Sequence, residues 1–246
     1  MTNRHTALIT GATSGIGRAT AHILAERGTR VLISGRDTTR GDAVVRAIRA
    51  NGGKADFLAA DLAGADAVHD LAARAVELGG GVDILVNNAA IYPVSSLTPQ
   101  AGAEEIDLVH AVNVRAPFLL VGLLAPAMAA RGQGAIVNVL SMAARIGMPG
   151  MALYGAGKAA LTLLTKAWAA EFGPSGVRVN AVSPGPTRTE GTQRFGENLD
   201  RLAAPAPAGR TAAPEEIAAA IAYLAGDAAS FVQGAVLDVD GGRTAV

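Results

Sequence analysis

The 246-residue sequence predicts a single-domain α/β fold, a doubly wound parallel sheet of seven strands flanked by helices. Three observations carry that prediction. Short apolar runs alternate along the chain with longer amphipathic or alanine-rich segments of helical length. The first run, Thr6–Thr10, passes through a glycine-rich turn into an amphipathic segment and on to a second apolar run, a βαβ arrangement of about thirty residues. Half of the residues are hydrophobic, only 4% are aromatic and 30 are glycine, a composition suited to close helix–sheet packing.

The elements follow in chain order. After the turn Gly11–Gly17, the segment RATAHILAERG reads as a helix closed by Gly28, and Arg30–Ser34 as the second strand. Asp37 is placed to cap the next helix, TTRGDAVVRAIRANGG. Lys54–Ala60 is the third strand, and Val82–Val86 is a continuously apolar fourth one, as a buried parallel strand should be. Ala116–Ala130 is apolar on most faces, hence buried in a core or a subunit interface; it is shorter than the ~20 residues of a membrane span. Ala135–Leu140 is the fifth strand, and a long helical run ends with Ala159–Phe172. Val177–Ala181 is the sixth strand and Val236–Val239 the seventh. Gly191–Arg210 is the least regular stretch and reads as a lid within residues 190–212. Pro214–Leu224 is a helix with Glu215 and Glu216 in its first turn, where the dipole favours acids. No linker or repeat interrupts the chain, so residues 1–246 form one domain.

Composition narrows the function. A net charge of zero offers no nucleic-acid surface, and the lack of cysteine excludes disulfides, iron–sulfur clusters and thiol catalysis. His5, His22, His69 and His110 lie in four separate segments, with no ligand spacing for a metal. The start has no signal-peptide layout, so a cytoplasmic protein is expected. The glycine turn between strand and helix suits a dinucleotide: glycines let the backbone approach a pyrophosphate, and the helix N-terminus supplies donors. No lysine follows as a phosphate-loop ATPase requires. Tyr154 and Lys158, four apart, share a helix face, and Ser141 ends the fifth strand. Together they make a proton-handling set in which a lysine cation favours the phenolate. Taken alone, the same residues fit a capping serine, a half-buried tyrosine and a surface lysine.

TGATSGIG at Thr10–Gly17, NNAA at Asn87–Ala90, Ser141 with Tyr154-Gly-Ala-Gly-Lys158, and SPGPTRT at Ser183–Thr189 occur in an order and spacing that resemble the classical short-chain dehydrogenase/reductase family, especially ketoreductases such as 3-oxoacyl-carrier-protein reductase. The likeness spans the chain, to LDVDGG at Leu237–Gly242. It implies a Rossmann fold and a nicotinamide cofactor cradled by Gly11, Thr13, Ser14, Gly15, Ile16 and Gly17. Asp61 and Leu62 would lie beside the adenine, unless Asp61 only caps the following helix. Asn88, Ala89 and Ala90 would flank the cofactor, Ala90 replacing the family's usual Gly. Pro184, Gly185, Thr187 and Thr189 would cross the nicotinamide. Asn113 would distort its helix and hold a water joining Lys158 to solvent. Ser141, Tyr154 and Lys158 would be catalytic, with Tyr154 and Lys158 also contacting the cofactor.

The acid that grips the ribose in NAD-dependent members corresponds to Gly35, and Arg36 follows it, placed for a 2′-phosphate. NADP(H) is therefore expected in preference to NAD(H). The implied reaction is reversible reduction of a small-molecule carbonyl, with imine or C=C reduction and a silent NADP(H)-binding sensor as alternatives. Ile91, Tyr92, Met142, Ile146, Met148 and Phe195 would line an apolar substrate pocket. Gly155 and Gly157 cost helix propensity and suggest close approach of a cofactor or subunit. The helices Ala116–Ala130 and Ala159–Phe172 would pair in a homotetramer or homodimer, with no nucleic-acid or membrane partner.

Overall fold

The computed structural model describes residues 5–93 and 97–246. The first four residues, where the chain was expected to lead straight into a strand, lie outside the described residues.

Seven parallel strands form one sheet in the order β3-β2-β1-β4-β5-β6-β7. The strands are β1 (Thr6–Ile9), β2 (Arg30–Gly35), β3 (Ala55–Ala59), β4 (Ile84–Asn87), β5 (Gly134–Val139), β6 (Val177–Pro184) and β7 (Val236–Val239). Every expected strand is present. The largest boundary difference is at β6, which runs on to Pro184 because Ser183 and Pro184 pair with Asp238 and Val239 of β7.

The helices are α1 (Gly15–Glu26), α2 (Thr38–Ala50), α3 (Ala65–Gly79), α4 (Ala103–His110), α5 (Ala116–Ala130), α6 (Ala152–Phe172), α7 (Asn198–Ala203) and α8 (Pro214–Ala225). They cover both sheet faces. One core joins the sheet to residues of α3, α5 and α6, including Leu71, Leu120 and Trp168; the other joins it to α1, α2 and α8 through Leu24, Val45 and Ile221. Strands buried on both faces explain the unbroken apolar runs of β1 and β4.

Local chemistry sets the helix ends. Asp37 caps α2 by accepting the Arg40 N–H at 3.0 Å. Glu216 reaches back to the Ala213 N–H at 2.8 Å and opens α8. Asp61 is not the cap of α3: Gly64 holds that position, and Asp61 accepts the Ala63 N–H instead. The stretch after Thr189, irregular by sequence, contains a 3₁₀ turn at Glu190–Phe195 and the short helix α7.

A π turn, Ala111–Arg115, joins α4 to α5. The joined rod, Ala103–Ala130, is long and apolar enough by length and composition to cross a membrane, unlike Ala116–Ala130 alone. More than half of its most apolar window is buried inside the domain. Phe118 on α5 (52% exposed) and Leu163 on α6 (70% exposed) remain at the surface.

The strand order reverses between β1 and β4, so the loops leaving their C-terminal ends diverge and open a crevice there. The glycine turn, Asn88–Ala90, Ser141, Tyr154, Lys158 and the loop after β6 lie along it.

Candidate active site

Five loops at the C-terminal edge of the sheet, with α6 and the segment after β6, enclose a cavity of about 410 Å³. One end lies between the glycine turn after β1 and the end of β2. Gly11 and Gly15 have φ of +63° and +51°, conformations that side chains resist. Gly17 does not line the cavity; a Cβ there would lie 2.4 Å from the Gly11 carbonyl oxygen, so its role is to let α1 pack under the turn. Asn88 locks that turn by donating to the carbonyls of Thr10 and Gly11 at 2.9 and 3.0 Å. Asn87 donates to Asn138, which donates in turn to Thr165, a buried amide relay joining β4, β5 and α6.

The β2 end is shaped by an absence. A Cβ at Gly35 would lie 2.6 Å from the Thr13 methyl, so an acid there would collide with the glycine turn. Arg36 and Arg40 border the cavity; Arg40 is held by Asp37 at 2.8 Å, whereas no ion pair involves Arg36 among the described residues. The buried Ser34 hydroxyl also borders this end and has no hydrogen-bond partner among the described residues. The N-terminus of α1, a side-chain-free Gly35, the unpartnered hydroxyl and a guanidinium without an ion pair fit the diphosphate, ribose and 2′-phosphate of a nicotinamide dinucleotide. Thr13, Ser14, Ile16, Asp61, Leu62, Asn88, Ala89, Ala90, Pro184, Gly185, Thr187 and Thr189 border the same cavity.

The other end holds the reactive set. Ser141 leaves β5 and accepts the Ala143 N–H at 3.2 Å, so it caps a turn while bordering the cavity. Tyr154 (4% exposed) and Lys158 (2% exposed) lie one turn apart on α6. Lys158 Nζ donates to the Val139 carbonyl at 2.7 Å and lies 5.7 Å from the centre of the Tyr154 ring. Burial pushes the Tyr154 phenol well above its usual value; Tyr92 adds to the rise and a hydrogen bond with Ser141 opposes it. Burial also lowers the Lys158 ammonium to about 8. Burial, rather than the lysine, dominates the shift of the phenol. Both groups are desolvated, the ammonium is spent on a carbonyl, and the phenol keeps its proton at neutral pH.

Lys158 therefore links stability to pH. Its folded value lies below the unfolded one, so the burial penalty is complete below about pH 8 and is relieved as pH rises towards 10.5. The wild type should gain at most roughly 3 kcal/mol over that window relative to a Lys158→Met variant, read from urea unfolding at successive pH values. Parallel curves for the two proteins would remove Lys158 as the linked group.

Asn113 is fully buried in the π turn, and its side chain bonds both backbone groups of Ile91, accepting at 2.9 Å and donating at 3.0 Å. The expected helix distortion is present. The amide is engaged with the segment that carries Tyr92, and Asn113 does not itself reach the cavity. Tyr92 stacks on Tyr154 with ring centres 4.3 Å apart, and Phe195 meets Tyr92 edge-on at 5.8 Å. Met142 and Met148 border the cavity with Ile91; Ile146, expected there, does not, because the turn after Ser141 carries it elsewhere. Ser34, Met151, Leu199 and Leu202 border it without having been singled out. An i, i+3 apolar pair was the only signal for the two leucines.

Gly155 owes its place to this site. A Cβ there would lie 2.6 Å from the Ala143 carbonyl oxygen, so α6 packs directly on the Ser141 turn. The close approach seen is to the chain's own backbone.

A family model described as enoyl-(acyl carrier protein) reductase matches residues 11–244. Cis-4-hydroxycyclohexanecarboxylate dehydrogenase of Sinomonas cyclohexanicum is 42% identical, over 98% of this chain and 96% of its own. A solved short-chain dehydrogenase/reductase family protein is 50% identical and superposes with a TM-score of 0.91, covering 98% of both chains. A blue fluorescent protein from a metagenomic library, solved in complex with NADPH, is 32% identical with a TM-score of 0.92 over 97% of both chains.

Proposed function

Since the chain belongs to the short-chain dehydrogenase/reductase family, an oxidoreductase family, we propose that it is an NADP(H)-dependent carbonyl reductase acting reversibly on a hydrophobic small molecule. The observation that carries this reading is the buried Tyr154–Lys158 pair with Ser141 at one end of a cavity whose other end offers Arg36, which has no ion pair among the described residues.

A bound nicotinamide supplies or accepts the hydride. The chain's residues handle the proton and the charge. In reduction, Tyr154, protonated at neutral pH, gives its phenolic proton to the oxygen on which negative charge develops. Ser141 donates a hydrogen bond to that oxygen and orients it. The Lys158 ammonium sits beneath the phenol and offsets the negative charge left on it, and it also holds the nicotinamide ribose. The π turn at Asn113 opens the helix beside α6 and provides a proton route to solvent. Gly11, Thr13, Ser14, Gly15 and Ile16 hold the diphosphate end, Arg36 the 2′-phosphate, and Pro184, Gly185, Thr187 and Thr189 the nicotinamide. Residues 190–212 cover the substrate.

Met142, Met148, Met151, Phe195, Leu199 and Leu202 give the substrate end an apolar, adaptable wall, in keeping with the relative named cis-4-hydroxycyclohexanecarboxylate dehydrogenase. The description of the matching family model favours one second reading, reduction of a C=C or C=N bond at the same site. The exposed Phe118 and Leu163 support a homotetramer or homodimer through α5 and α6, working in the cytoplasm without a nucleic-acid or membrane partner.

The test is oxidation of NADPH against ketones, β-ketoesters, enoyl thioesters and cyclic imines, with NADH in parallel. Turnover of a ketone is expected, with kcat/KM at least ~10-fold higher for NADPH and that advantage lost in Arg36→Leu. Equal use of both cofactors would refute the Arg36 assignment. Turnover of enoyl thioesters or imines alone would replace the carbonyl reading.

A further inference from the structure

The segment that follows Thr189 is anchored at both ends, and the anchor at its base is a charge. Glu190 begins the 3₁₀ turn Glu190–Phe195. One carboxylate oxygen accepts the Gly15 N–H at 3.0 Å, and the other pairs with Arg18 at 2.7 Å. Gly15 is the first residue of α1, and Ser14, its N-cap, makes no side-chain capping bond. Glu190 therefore caps α1 from across the crevice, from a position 175 residues further along the chain. The packing is tight as well: a Cβ on Gly15 would come within 3.0 Å of the Thr189 side chain. Reciprocal bonds between Thr189 and Thr192 make the turn stiff. At its far end Arg194 lies 5.1 Å from the centre of the Tyr92 ring, and Phe195 meets the same ring edge-on. Tyr92 is stacked on Tyr154. One short rigid turn thus spans from the glycine loop to the catalytic phenol.

We propose that Glu190 is a positioning residue that locks the lid to the cofactor loop and competes with the cofactor's diphosphate for the Gly15 N–H and the Arg18 guanidinium. This rests on the dinucleotide reading of the cavity. The physical argument concerns sign. A helix N-terminus and a nearby arginine attract an anion, and a diphosphate is the anion that the glycine loop suits. A fixed carboxylate at the same donors quenches that field and repels a second anion. By linkage, whatever the lock withholds from the diphosphate, the diphosphate withholds from the lock, so filling the cradle loosens the lid base. The lid over Tyr92 and Tyr154 then responds to cofactor occupancy.

The test uses the full chain and reads binding without turnover. NADPH is titrated by its fluorescence against the wild type, Glu190→Gln and Glu190→Asp, with adenosine 2′-monophosphate, which lacks the diphosphate, as the control ligand. Glu190→Gln should bind NADPH on the order of tenfold more tightly, the scale of one charge-assisted interaction. Glu190→Asp, which keeps the charge, should stay near the wild type, and the control ligand should bind all three alike. Amide exchange at residues 190–203 should quicken in Glu190→Gln, since the lid base is released. Unchanged or weaker NADPH binding by Glu190→Gln would overturn the lock and leave the cofactor reading intact. Equal tightening of the control ligand would also overturn it, because the effect would then not lie at the diphosphate. Failure of all three proteins to bind any nicotinamide dinucleotide would sink the cofactor reading and the lock together.

Discussion

Tyr154→Phe is expected to lower turnover by about 10²–10⁴-fold, the range that a positioned proton donor contributes, while NADPH affinity and thermal stability stay near those of the wild type. The substitution removes one oxygen and keeps the ring. The stack on Tyr92 at 4.3 Å and the packing against Lys158 at 5.7 Å are interactions of the ring, so the fold loses little. What disappears is the phenolic proton that is transferred to the oxygen where charge develops. Ser141 remains able to donate, so a residual rate above background is expected. The split between kcat and binding is the decisive readout. A variant that kept half its turnover would remove Tyr154 from the mechanism. A variant that lost NADPH binding together with turnover would make the phenol a cofactor ligand first.

Gly155→Ala is the second variant with a large expected effect, and it sets two forces against each other. Mid-helix, alanine in place of glycine favours the helix by about 1 kcal/mol. Here the added methyl would lie 2.6 Å from the Ala143 carbonyl oxygen, inside contact distance of a backbone atom that cannot rotate away. The overlap wins. Either α6 or the turn after Ser141 must move, and overpacking of this kind costs typically ~1–3 kcal/mol. Since Ser141 opens that turn and Tyr154 immediately precedes Gly155, a displacement of even ~1 Å separates the two hydroxyls, a misplacement that costs about 10²-fold in rate. We expect a lower melting temperature and a turnover reduced by about that factor, with a smaller loss of NADPH affinity because the diphosphate and 2′-phosphate ends are held by the glycine loop and Arg36. A more stable variant, following helix propensity, would show that the contact relaxes without strain.

How far the site could be read beforehand differs from residue to residue. Ser141, Tyr154 and Lys158 were legible because spacing on one helix, and the end of one strand, are local properties of the sequence. The glycine loop was legible because its turn, its helix and the strands on either side lie within one βαβ unit. The role of Gly17 was not: its neighbour is the Gly11 carbonyl, and only the folded turn shows how close that lies. Ile146 was misplaced into the pocket because sequence proximity to Met142 and Met148 does not say which way a turn faces. The direction of the Tyr154 shift differs from expectation for a related reason. A lysine one turn away promises a lowered value, but the balance is decided by burial, and burial is a property of everything packed around the pair.

The sequence by itself determined the seven parallel strands, the longer helices between them and the edge of the sheet at which the motifs converge. Each of these follows from apolar periodicity, turn residues and the rule that parallel strands are joined by crossovers. The tertiary structure alone decided the contacts between distant segments: Glu190 on Gly15 and Arg18, Tyr92 on Tyr154, and Gly155 on the Ala143 carbonyl. Periodicity is written into neighbouring residues, whereas the distance between atoms far apart in the chain exists only once the sheet and both helical layers have packed.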